Sequence, residues 1–222
     1  TKNLETSQSL PHVIYKSMKQ NDVSSVCDIQ RISQAQRDRL FAVIRELKSA
    51  DIPVCSTLVV DDVIVQKLFT PDAFLARPQN LYLPPDYRQA FLQGKEKHQL
   101  QFKGIKNLAL FKFGLDQTLL AECHRAGIPI VLGTDARSGK MGVVPGFAIH
   151  DELQIMIENG FSPYEAIATG TVNASKVAAA MTGIDDFGTI EVGKRADFIL
   201  VKKNPLEDVS HIKDHRGVMA AG

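Results

Sequence analysis

The sequence is poor in several things, and each shortage narrows what the chain can be. It has three cysteines in 222 residues, Cys27, Cys55 and Cys123, far apart and with no CxxC pair. That argues against a disulfide framework and against a structural zinc knuckle. Such usage suits a reducing compartment and favours a cytoplasmic setting. Neither sign of charge is in excess. The 26 Lys+Arg against 25 Asp+Glu leave a net charge of +1, with no basic or acidic block. Nucleic acid and anionic membrane surfaces are therefore disfavoured as main partners. No apolar run nears the roughly 18 residues that a membrane helix needs. There is also no initiator Met and no secretory signal. The opening TKNLETSQSL does not read as the entry to a domain, and the closing GVMAAG stops just after an apolar pair. The expectation is a piece of a longer polypeptide.

Several catalytic motifs are missing too. There is no HxH and no HExxH, so this chain alone does not build a zinc site. There is no GxSxG for a serine hydrolase. IPIVLGTDARSGK, residues 128–140, has a glycine-lysine pair that invites a phosphate-loop reading. That loop needs four residues between its glycines and a Ser or Thr after the lysine. Here Gly133 and Gly139 enclose five residues, and Met141 follows Lys140. The tripeptide DFG at residues 186–188 lacks the upstream kinase elements and reads as a turn.

What is present describes an α/β protein. With 44% apolar and 23% charged residues, the chain can bury a sizeable core in one large domain or one and a half. Leu40, Val43, Ile44 and Leu47 follow a helical rhythm after Ser33, a fair N-cap. Residues 53–60, PVCSTLVV, read as a buried strand with Asp61 and Asp62 at its end. Residues 70–104 carry four of the ten prolines. They form a long insertion, either a lid or binding loop or a crossover on the surface. Within it, Pro84 and Pro85 open a short amphipathic helix. Residues 105–126 read as a helix with Gly127 as its C′ residue, followed by the strand IPIVLG. The next helix is expected to start at His150 or Asp151. Another is opened by Ser162, Pro163 and Glu165, a capping box. NASKVAAAM reads as a further helix, ended by Gly183. From Gly188 the pattern changes to two β-runs, residues 189–192 and 198–201, expected to form a hairpin-like unit.

Asp135 is the first candidate for chemistry. It lies just past a buried strand of parallel type, where α/β proteins build their sites. A carboxylate there can bind a cation or act as a base; it can equally cap the turn that follows. His150 stands fifteen residues on, after a glycine-rich excursion, as a cap, a supporting hydrogen-bond partner or a ligand. His124 sits near a helix C-terminus, where it complements the dipole. His98, His211 and His215 lie among polar residues.

Four stretches in order, AGIPIVLGTDA, PGFAIHDEL, GFSPYEAIATGTVNASKVAAAMTG and GTIEVGKRADFILVKKNPLEDV, resemble the C-terminal part of the metal-dependent amidohydrolase superfamily. The resemblance is to its imidazolonepropionase-like and prolidase-like branch, and covers residues 126–209. Upstream, IPVCSTLVV and LYLPPDYRQAF match more loosely. The resemblance implies the C-terminal part of a (β/α)8 TIM-type barrel over residues 1–187. Residues 188–222 would be a small β segment of the accompanying β-sandwich.

The resemblance also implies a metal-dependent hydrolase of amide or other C–N bonds in small molecules, possibly dipeptide-like, in the complete protein. The cofactor would be one or two divalent ions, most readily zinc, with Asp135 as metal ligand and general base. His150, Thr134 and Tyr82 are the expected substrate-facing or supporting residues. A homo-oligomer acting on a small-molecule substrate is expected. The family's HxH, bridging lysine and further histidines have no counterpart here. Asn3 falls where a loose alignment expects a ligand histidine. The rival expectations are a catalytically incompetent barrel fragment acting as an interaction module, and a small-molecule binder that kept the pocket and lost the ligands.

Overall fold

A computed structural model describes residues 33–136 and 141–221. Cys27 and Asn3 lie outside them. The first helix, α1 (Gln34–Ser49), starts as its sequence predicts. Ser33 caps it, and the Gln36 side chain returns a bond to the Ser33 backbone. Leu40, Ile44 and Leu47 are its buried face. At its far end the Lys48 ammonium donates to the Ala126 carbonyl.

Strand β1 (Val54–Ser56) follows, then helix α2 (Val59–Phe69). The expected strand over residues 53–60 is thus half strand and half helix. Asp61 and Asp62 lie in the first turn of α2, not at a strand end. The cause is a long-range cap. The backbone N–H of Val59 donates to Glu152 Oε2 at 2.6 Å, and Ser56 Oγ donates to Glu152 Oε1. An apolar run such as LVV is ambiguous between strand and buried helix, and here a distant carboxylate tips it.

The insertion folds into short helices: α3 (Pro71–Ala76), a 3₁₀ turn (Pro78–Tyr82), α4 (Pro85–Leu92) and α5 (Lys97–Gln101). Tyr87 and Phe91 are the buried face of α4. Helix α6 (Asn107–Arg125) then leads through Gly127, at φ +70°, to strand β2 (Ile130–Leu132). β1 and β2 pair in parallel, with Val54 opposite Ile130 and Ser56 opposite Leu132. A strand, a long helical crossover and a parallel partner make one βαβ unit.

Helix α7 (Phe147–Glu158) begins three residues before His150. Gly146, at φ +82°, turns the chain into it. Helix α8 (Pro163–Gly170) carries the expected capping box. Ser162 accepts from the Glu165 N–H, and the Glu165 side chain accepts from the Ser162 N–H. Helix α9 (Val172–Thr182) ends at Gly183 in the left-handed conformation. The main core is one cluster that runs from Leu40 through Phe111, Leu115 and Ile130 to Met156 and Phe161.

The terminal β unit differs from expectation. Strand β3 (Phe198–Val201) pairs antiparallel with β4 (His215–Met219), not with residues 189–192. Those residues form no strand, and Ile190 and Val192 are fully exposed. A strand needs a partner for its backbone groups, and among the described residues no strand pairs with these. A 3₁₀ turn (Val209–Lys213) between the two strands puts Val209 into the main core at 5% exposure.

Candidate active site

Both parallel strands end on the same side, and the carboxylate sits there. Gly133 leaves β2 and stays bonded to β1, its N–H donating to the Ser56 carbonyl at 2.8 Å. A Cβ at this position would stand 2.5 Å from Cys55 Sγ and 2.9 Å from the Ser56 carbonyl oxygen. Only glycine lets the strands approach this closely. Two residues on, Asp135 has φ +44°, a left-handed conformation uncommon for any residue but glycine. It is exposed and lines a cavity of about 290 Å³. Cys55, Ser56 and Thr57 from the end of β1, and Met141 from beyond Asp135, line the same cavity.

Charged residues complete its wall. Lys112 on α6 donates to Asp61 at 2.7 Å and to Asp116 at 2.6 Å, so one ammonium serves two carboxylates. Burial pushes the Asp116 carboxyl above the usual carboxylate range. Lys112 opposes that, and the Asp61 charge adds to it. Burial alone would lower Lys112; Asp116 and Asp61 raise it instead. The thiols are not activated. Burial raises Cys55, and it raises Cys123 to about 11. A nucleophilic cysteine needs the reverse shift.

The other expected site residues lie apart from this cavity. Thr134 is half-buried beside Asp135 and is not among the lining residues. His150 lies in α7, where burial and the charges of Lys213 and His215 lower its pKa against the pull of Asp151. Its electrostatic neighbours thus belong largely to the terminal β unit. Tyr82 is exposed and stacks on Phe147 with ring centroids 5.5 Å apart. His124 stacks on Phe161 at 3.8 Å and contacts Glu165 at 3.2 Å.

One cluster was not legible from sequence. His98, set among polar residues, is 3% exposed. It meets Lys67 and Glu96, equally buried, under the insertion. Burial pushes the Lys67 ammonium down to about 8, against the pull of Glu96. Burial would raise Glu96, but its contact with His98, whose backbone N–H donates to Oε2 at 2.8 Å, and the Lys67 charge hold it at about 2. His98 Nδ1 is 2.6 Å from Lys67 Nζ and 3.2 Å from Glu96 Oε1. An ammonium can only donate, so the shorter contact assigns Nδ1 as acceptor and the ring proton to Nε2. A lone lysine at the end of VVDDVIVQK gives no signal of this.

No group of three or more His, Cys, Asp or Glu side chains among the described residues converges to hold a metal ion. Asp135 suits one oxygen ligand of a divalent ion, but a protein site needs three or four donors. The described residues therefore do not make a complete metal site.

Residues 107–222 match the amidohydrolase family, and the chain belongs to it. Ochratoxinase of Aspergillus niger is 34% identical over 95 residues, which are 42% of this chain and 18% of that protein. The crystal structure of A. niger ochratoxinase superposes with a TM-score of 0.52 at 22% identity, covering 90% of this chain and 35% of that one. A putative prolidase from Bifidobacterium longum gives 0.51 at 26% identity, covering 76% and 34%. The chain thus spans less than a fifth of the curated relatives it matches and about a third of these solved structures.

Proposed function

We propose that the complete protein is a metal-dependent hydrolase of amide bonds in small, dipeptide-like molecules, and that Asp135 is its catalytic carboxylate. The observation that carries this is the place of Asp135. It stands just past the C-terminal end of a parallel strand, in a left-handed turn, at the wall of a cavity, within the stretch that matches the family. The relatives named ochratoxinase and prolidase support a hydrolase reading. In this proposal residues 1–187 are the C-terminal part of a (β/α)8 barrel. Residues 188–222 are a β segment of its companion domain.

A divalent ion, zinc in the first instance, would supply Lewis acidity when bound. Its other ligands would come from outside the described residues. Asp135 would accept the proton of the attacking water and return it to the leaving amine, as a general base and then a general acid. The backbone fixes that carboxylate from one side through Gly133, whose bond to β1 leaves it little freedom. Thr134, Tyr82 and His150 are proposed as residues that face or support the substrate.

The test is Asp135→Asn in the full-length protein, assayed with N-acyl amino acids and dipeptides. Loss of a positioned general base costs about 10²- to 10⁴-fold. The expected result is a fall of that size in kcat with an unchanged circular dichroism spectrum. Near wild-type turnover would overturn the assignment.

A further inference from the structure

Lys67 has no exposed side-chain surface and three acceptors around its Nζ. These are Glu96 Oε1 at 2.9 Å, His98 Nδ1 at 2.6 Å and the Met141 carbonyl at 3.0 Å. An ammonium has three N–H groups, so all are used. Glu96 and His98 make a lysine tolerable in the interior, since a buried charge must be paired and hydrogen-bonded. The third bond serves a different end. Met141 lies six residues beyond Asp135 and lines the same cavity.

The residues after it are held as well. Gly142, at φ +77°, packs its bare face on the Tyr87 ring. A Cβ there would stand 2.4 Å from the Tyr87 hydroxyl. Val143 and Val144 are buried in the core. Apolar packing is non-directional, whereas the bond from Lys67 fixes where the Met141 carbonyl points. Gly133 is thus held to β1, and Met141 at the cavity wall to Lys67.

We propose that Lys67 is a positioning residue for the cavity that Asp135 lines, acting through the Met141 carbonyl in its wall. The insertion then serves as a brace. Its Glu96 and His98 make the buried lysine tolerable, and the Met141 carbonyl takes the remaining N–H at the cavity wall. This rests on the reading of Asp135 as the catalytic carboxylate.

The experiment uses the full-length protein and three variants. Lys67→Met with Glu96→Gln removes the donor and the charge it would otherwise strand. Glu96→Gln alone removes the ion pair but keeps Lys67 bonded to Met141. Asp135→Asn runs alongside. In the double variant, amide exchange over residues 141–146 should rise about tenfold. Its kcat should fall about tenfold or more, since small misplacements of a catalytic group are expensive. KM should stay within roughly threefold. Glu96→Gln alone should keep wild-type kcat, even with a lowered melting temperature.

Unchanged exchange and kcat in the folded double variant overturn the proposal. So does an equal loss of kcat in Glu96→Gln alone, which would make the cluster a stabiliser only. If the double variant does not fold, Lys67→Gln is decided by the same readouts. It keeps a polar partner for Glu96 but is too short to serve all three acceptors. If Asp135→Asn proves fully active, the catalytic reading fails. The exchange data then still decide whether Lys67 holds the chain at Met141.

Discussion

Glu152 joins α7 to the end of β1 and to the start of α2. It is 0% exposed, accepts from Ser56 at the end of β1 and caps the Val59 N–H of α2. Leu58, the N-cap residue of that helix, offers no side-chain bond of its own. Burial raises the Glu152 carboxyl, while Ser56 and the backbone of Val59 and Leu58 oppose the rise. Glu152→Ala would strand the Ser56 hydroxyl and a helix N–H in the interior. The expected cost is about 3 kcal/mol, read from urea unfolding of the full-length protein. Glu152→Gln keeps an acceptor and should cost much less. In the sequence this residue is one letter of IHDEL, three before Ile155. Nothing local marks a carboxylate as the cap of a helix that begins 93 residues earlier. That is why the expected strand ran on into α2.

Among the elements, those whose ends are set by adjacent residues were readable and those set by distant ones were not. α1 and α8 start where their capping boxes place them, and α9 stops at its glycine. The start of α7 was missed by three or four residues, because Gly146 carries it with backbone geometry and no capping side chain. The hairpin was half right. FILV is a strand, but its partner lies beyond a 3₁₀ turn, and the sequence gives no pairing rule over that distance. Ser162→Ala should remove the capping box of α8. The expected cost is about 1 kcal/mol, measurable as a lower urea midpoint. Glu165 also meets His124 on α6, so the loss should reach the packing of α8 on that helix.

At the scale of the whole molecule, the ion cluster built on the insertion is expected to contribute to the response to acid. Glu96 is held at about 2, below its ordinary 4.5. A carboxylate depressed in the folded state stabilises it above the ordinary value and loses that contribution as pH falls toward the folded one. Between pH 4.5 and 2, the urea midpoint of the full-length protein should therefore fall more steeply than that of Glu96→Gln. Parallel slopes would show that the cluster does not govern acid unfolding.

The candidate site divides in the same way. The position of Asp135 was legible, because a strand signature followed by Gly-Thr-Asp places a carboxylate past a strand end. The Asp61–Lys112–Asp116 triad and the Lys67 cluster were not, because they assemble from helices whose relative placement no local pattern encodes.

Val209 has a further consequence for how the chain can be divided. Composition suggests a boundary near residue 188, yet the terminal β unit contributes a side chain to the same core as Leu40 and Ile130. Cutting there would open a hole in the main body, not merely release a tail. Recombination at this boundary would have to supply a replacement that fills the Val209 position against α7 and α8.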